Sequence, residues 1–152
     1  MDSEKEFLSS YNKNEYEKPS VAVDLLVFTV KDDRLKIVLV RRSEHPFKDM
    51  LSLPGVFVGI NETLDEAAAR GAREEAGLAD IYFEQLYTWG DIDRDPRMRI
   101  ISVSYLSLTP AEKLTLSAGS RTSSAELYDV EELPMKSLLS TTEGSSNTAG
   151  RG

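Results

Sequence analysis

At 152 residues, 40% hydrophobic and 29% charged, the chain has the size of one domain with a core of two or three layers. No run approaches the roughly 18 apolar residues of a membrane span, and the polar start MDSEKEFLSSYNKNEYEKPS is not a secretory signal. A net charge of −8 without a basic stripe argues against nucleic-acid binding by this chain alone. The absence of cysteine excludes disulfides, thiolate zinc sites and cysteine nucleophiles, and fits a reducing cytoplasm. A single histidine, His45, makes a Ser-His-Asp arrangement implausible and rules out a multi-histidine metal site.

In chain order, residues 1–19 read as a polar arm with helical character around Lys5 to Tyr11. VAVDLLVFTV, 21–30, is an apolar, β-branched strand interrupted by Asp24, and LKIVLVRR, 35–42, pairs with it across the turn residues KDDR. SEHPFKDMLSLPGVFV is a proline-punctuated loop leading into a short strand. Thr63 and Glu66 form a T-x-x-E capping box that opens a helix. Leu64, Ala68 and Ala72 give that helix an apolar stripe, and Gly77 stops it. DIYFEQLYTW (80–89) and RIISVSYLSL (99–108) are strands around the charged loop GDIDRDPRM; AELYDV (125–130) is a further short strand, and EELPMKSLL a brief helical turn. STTEGSSNTAGRG is small, polar and predicted to be disordered. A hairpin first, then strands flanking one central helix, predicts a mixed sheet in an α/β (α+β) fold.

The helix carries the chemistry. At 100° per residue, positions 67, 71, 74, 75 and 78 point broadly together, so Glu74 and Glu75 present carboxylates of the kind that hold Mg²⁺ or Mn²⁺. Two adjacent glutamates are also, most often, solvated charge. Asp91, Asp93 and Asp95 imitate an EF-hand, but Pro96 stands at the glycine position and Ser102 at that of the bidentate glutamate, which excludes calcium. Arg42, Arg94 and Arg97 suit phosphate or ribose recognition or an ordinary solvated surface. Phe47 and Trp89 suit adenine stacking or a pocket wall. His45 is a loop residue.

Residues 53–78, LPGVFVGINETLDEAAARGAREEAGL, resemble the Nudix box of nucleoside-diphosphate-linked hydrolases, G-x5-E-x7-R-E-U-x-E-E-x-G-U with U apolar. Glu62, Arg70, Ala72, Glu74, Glu75, Gly77 and Leu78 fall in register; Val56 replaces the first glycine and Gly71 the glutamate after the arginine. VDLLVFTV, LVRRSEHPF, QLYTWGDIDRDPRMRIISVSY and AELYDVEELP resemble the ADP-ribose pyrophosphatase branch and the related Nudix transcriptional regulators of NAD metabolism. The resemblance implies the Nudix fold, a mixed β-sheet sandwiched between helices, over a domain at 20–138, with residues 139–152 as a tail. It also implies that the family's last helix, and the winged-helix domain of the regulators, are lacking here.

By the same resemblance Glu74, Glu75, Arg70 and Glu62 are catalytic, with Glu62–Arg70 a bracing ion pair. Mg²⁺ or Mn²⁺ is held by Glu74, Glu75 and the Gly55 carbonyl, and substrate by Arg42, Phe47 and Arg94. Gly71 leaves the third ligand position empty and costs the helix about 1 kcal/mol relative to alanine. Val56 disfavours positive φ, so any such need in the loop falls on Gly55. The implied function is metal-assisted hydrolysis of an ADP-ribose-like compound with weakened turnover. The alternative is a non-catalytic nucleotide-binding sensor domain. A homodimer is a further expectation, since relatives in this branch often dimerise.

Overall fold

The computed structural model describes residues 3–45 and 47–133; the expected tail and missing last helix lie outside them. The elements are α1 (Ser3–Ser10), β1 (Ser20–Lys31), β2 (Arg34–Arg42), β3 (Leu51–Ser52), β4 (Gly55–Phe57), α2 (Leu64–Ala76), β5 (Glu84–Trp89), β6 (Ile100–Leu108) and β7 (Thr122–Asp129). The strands form one mixed sheet in the order β3-β2-β1-β6-β5, with β1 and β6 parallel, β4 added on β1 and β7 on β2. The expected strand at 80–89 begins only at Glu84, and β7 starts three residues before the expected position 125.

The KDDR turn is a two-residue hairpin loop. Asp32 and Asp33 both take positive φ, 55° and 59°, which matches the right-handed twist of the flanking strands. β1 pairs with β2 only at Phe28–Lys31; from Ala22 to Asp24 the same edge pairs with β4 instead. β2 thus diverges from β1 beyond Ile37, and β4 occupies the vacated edge. The gap between the diverging strands becomes the cleft described below.

α2 begins at the expected box: the Thr63 hydroxyl accepts from Glu66 N and the Glu66 side chain from Thr63 N. It ends at Gly77 in the left-handed region, φ 71°, whose N–H caps the last turn. Its apolar stripe is built from Ala67, Ala68, Ala72 and Ala76, all buried against Val23, Leu25, Val27, Val38 and Val103 of the sheet. Small side chains let the helix lie close to the strands. Tyr105 of β6 ties the first turn down through a 2.8 Å hydrogen bond from its hydroxyl to Asp65. A smaller cluster of Ile37, Leu39 and Leu51 with Phe28, Leu53 and Tyr128 fills the other face. α1 buries none of its residues, and no helix among those described is long and apolar enough to cross a membrane.

The loop entering α2 is braced by Arg70. Its guanidinium grips Glu62 through both carboxylate oxygens (2.6 and 3.1 Å), donates to the Phe57 carbonyl at 2.7 Å and reaches Glu74 at 3.0 Å. The geometry links β4, the loop and the helix, which is more than an isolated exposed pair. Arg70, assisted by the Gly59 N–H, holds the Glu62 carboxyl down to about 2 from its ordinary 4.5. Because the folded value is depressed, this contribution to stability is complete above pH 4.5 and lost as pH falls toward 2. Glu62→Gln is therefore expected to lower the thermal midpoint at pH 7, with the difference from the parent shrinking across that acid range. A difference independent of pH there would contradict the brace.

Candidate functional site

The divergence of β1 from β2 opens a cleft of about 150 Å³. Its floor holds Asp24 and Gly55, α2 contributes Glu75, and its walls include Arg42, Phe47, Arg94, Arg97 and Arg121. The position of Glu75 follows from strand pairing. Leu25 N donates to Pro54 O and Val58 N to Val21 O, which makes Val23–Val56 the hydrogen-bonded pair between them. The amides of Gly55 and Phe57 therefore face away from β1. Gly55 N–H meets the Glu75 carboxylate at 3.3 Å, and the Phe57 carbonyl receives Arg70. Glu75 is almost fully buried. Burial pushes its carboxyl up, while the Gly55 N–H, Arg42 and Arg121 act in the opposite direction and Glu74 adds to the rise.

Glycine at 55 is a steric requirement. A Cβ there would lie 2.6 Å from Asp24 Oδ1 and 2.9 Å from the Val23 carbonyl. The expected demand for positive φ does not arise: Gly77 is the glycine with positive φ among the described residues. The two departures from the box meet in space. A Cβ on Gly71 would sit 3.0 Å from Val56 Cγ2 and 3.5 Å from Leu25 Cδ1, so the valine methyls fill the ground over which a longer side chain would leave the helix. The missing carboxylate and the added isopropyl group are one packing solution.

The helix face expected to unite positions 67, 71, 74, 75 and 78 divides. Ala67, Gly71, Glu75 and Leu78 are buried, whereas Glu74 is exposed, held by Arg70 one turn back, and absent from the cleft lining. Among the described residues no three acidic or histidine side chains gather as a metal cluster. Of the three expected donors, Gly55 and Glu75 line the cleft and Glu74 does not, which leaves one carboxylate of the set there. Mg²⁺ sites commonly use one or two carboxylates and take other oxygens from water and substrate phosphates.

Asp24, in sequence an interruption of an apolar strand, is a residue of the cleft. Its buried carboxyl, pushed up by desolvation, is opposed by Arg94 at 3.2 Å and a hydrogen bond from the Ser102 hydroxyl. A charge inside a β-branched run was the available signal, because a buried charge demands a partner. Arg94 is itself buried and its Nε has no partner. Arg97 chelates Asp95 and lies 5.3 Å over the Phe57 ring. Phe47 lines the cleft with φ 63°, a conformation costing on the order of 1 kcal/mol for a bulky residue. Trp89 is outside the lining, hydrogen-bonded to Ser104 at 2.7 Å and packed on Tyr87.

The NUDIX domain family matches residues 18–146. The ADPR responsive transcriptional repressor NtrR of Acinetobacter baylyi is 37% identical over 108 residues, 70% of this chain and 43% of that protein. The ADP-ribose pyrophosphatase of Methanocaldococcus jannaschii is 39% identical over 120 residues, 78% of this chain and 67% of that protein. The NUDIX domain of Shewanella oneidensis NrtR, solved with ADP ribose, superposes with a TM-score of 0.85 at 26% identity, covering 97% of this chain and 96% of that one. The chain thus spans less than half of the repressor and about two thirds of the pyrophosphatase. The brace, the capped helix and the glutamate-lined cleft stand in a chain that belongs to the NUDIX domain family.

Proposed function

We propose that the chain is a NUDIX pyrophosphohydrolase of nucleoside diphosphate-linked compounds, ADP-ribose first among them, with turnover weakened by its altered box. The observation that carries this reading is the cleft itself: a buried glutamate fixed on a backbone N–H, faced by several arginines. Similarity to the archaeal pyrophosphatase supports the substrate class. The acidic chain, at −8, also favours a small anionic ligand over nucleic acid.

Glu75, Glu74 and the Gly55 carbonyl would hold Mg²⁺ or Mn²⁺. Such an ion, when bound, neutralises charge on phosphate oxygens and makes water nucleophilic near neutral pH. The chain's own residues supply the rest. Arg42 and Arg94 bind phosphate oxygens, Asp24 keeps Arg94 in place, Asp95 orients Arg97, and Phe47 offers a ring face to a base. Glu62 and Arg70 hold β4 against α2, and so hold Gly55 beside Glu75.

A second reading, a ligand-binding sensor domain without turnover, is favoured by the Gly71–Val56 packing and by likeness to a regulator domain solved with ADP ribose. Calorimetry with ADP-ribose, with and without Mg²⁺, followed by a product assay separates the two. The hydrolase reading expects AMP and ribose phosphate; binding without product selects the sensor; neither overturns both.

Gly71→Glu alone must displace Val56, so overpacking of about 1–3 kcal/mol is expected to offset any gain. Val56→Gly with Gly71→Glu should raise Mg²⁺-dependent hydrolysis about tenfold or more over the parent. No gain from a folded double variant would sink the proposal that this position limits turnover. Burial raises the Glu75 carboxyl, so its ionisation destabilises the fold as pH rises past the ordinary glutamate range. Glu75→Gln is therefore expected to raise the thermal midpoint at pH 7, to change it little at pH 4, and to reduce hydrolysis. A lowered midpoint at pH 7 would contradict the cost assigned to this buried carboxylate.

A further inference from the structure

We infer that Arg121 is a phosphate-binding residue of this cleft, paired with Arg42 across the β2–β7 ladder. The inference rests on the nucleotide reading above and adds a residue from outside the box and its flanking motifs.

The register of β2 with β7 slips at one point. Arg41 faces Ser124 but Arg42 faces Thr122, which leaves Ser123 as the extra residue of a bulge. Bulges bend a strand and re-aim its side chains. Beyond the slip, Ser43 N donates to the Arg121 carbonyl at 3.1 Å, so the backbones carrying Arg42 and Arg121 stay side by side at the cleft rim. Both residues line the cleft together with Glu75.

The segment that delivers Arg121 is fixed to α2. Thr122, buried, donates from its hydroxyl to the Glu75 carbonyl at 3.1 Å and accepts from Gly119 N at 2.7 Å. Ser117 N donates to the Ala76 carbonyl at 3.0 Å. Gly119 passes so close that a Cβ would fall 1.5 Å from the Glu74 carbonyl oxygen, and only glycine fits. The backbone before Arg121 is therefore anchored on the same turn of helix that carries Glu75.

The side chain differs from the other arginines around it. Arg70 is committed to Glu62, Arg94 to Asp24 and Arg97 to Asp95, but the Arg121 guanidinium makes no hydrogen bond or ion pair among the described residues. An exposed, uncommitted guanidinium on a fixed backbone, beside a second arginine, suits two adjacent phosphate oxygens.

The test is binding of ADP-ribose, of inorganic pyrophosphate and of uncharged adenosine by the wild-type chain, Arg121→Gln and Arg121→Lys, measured by calorimetry at two salt concentrations. Arg121→Gln is expected to weaken ADP-ribose and pyrophosphate about tenfold, with a shallower salt dependence, while adenosine binding and the thermal midpoint stay unchanged. Arg121→Lys, which keeps the charge without the planar fork, should recover part of the loss. Equal affinity of wild type and Arg121→Gln for both phosphate ligands overturns the assignment and leaves the nucleotide reading standing. Pyrophosphate binding that depends on Arg121 without any ADP-ribose binding keeps the assignment and overturns that reading; binding of neither overturns both. An equal loss for adenosine reduces Arg121 to a structural residue.

Discussion

The close approach of α2 to β4 is the contact on which the rest of the site depends. Four alanines and Gly71 remove the side-chain bulk that would hold the helix away, and Val56 fills the shallow space over Gly71. At this separation two backbone groups of β4 that do not bond β1 reach the helix. Gly55 N–H meets Glu75, and the Phe57 carbonyl meets Arg70. The glycine costs the helix about 1 kcal/mol in propensity, which burial of the valine methyls offsets in part. It also means that Glu75 faces the cleft without a second carboxylate beside it one turn earlier.

Charge in the cleft follows from this arrangement. Buried Asp24 and Glu75 would each be costly alone, and each is opposed by arginine from another segment: Arg94 from the β5–β6 loop, Arg42 and Arg121 from the β2–β7 end. The cleft lining sets four arginines against Asp24, Glu44, Glu75 and Asp95, and Arg121, in no ion pair with these carboxylates, is left to meet an anion. Arg42 and Arg121, which oppose the burial that raises the Glu75 carboxyl, also face the cleft, so an anion bound there and the charge state of Glu75 are electrostatically linked.

Local signals in the sequence were legible because local geometry decides them. Thr63 and Glu66 marked the helix start, Gly77 its end, and alternation with β-branching marked β1 and β6. The Glu62, Arg70 and Glu75 spacing identified the elements that meet. Contacts set by tertiary pairing were not legible. The β1 edge shared between β2 and β4 leaves no trace in periodicity. Gly71 and Val56 lie 15 positions apart on a helix and a strand, and read separately they look like two defects rather than one fitted contact. Helical spacing grouped Glu74 with Glu75, yet a 100° step and the pull of Arg70 separate them. Arg121 lies in a segment without a motif, and only the bulge and the Gly119 crossing bring it to the cleft.

With no cluster of three acidic or histidine side chains among the described residues, the proposed divalent-cation site would depend on phosphate oxygens from its ligand to complete it. Titration with Mn²⁺, followed by electron paramagnetic resonance of the free ion, tests it directly when run with and without a saturating non-hydrolysable ADP-ribose analogue. Weak Mn²⁺ binding to the free chain and at least about tenfold tighter binding to the complex are expected, after correction for Mn²⁺ held by free analogue. Equally tight binding with and without the analogue would contradict it.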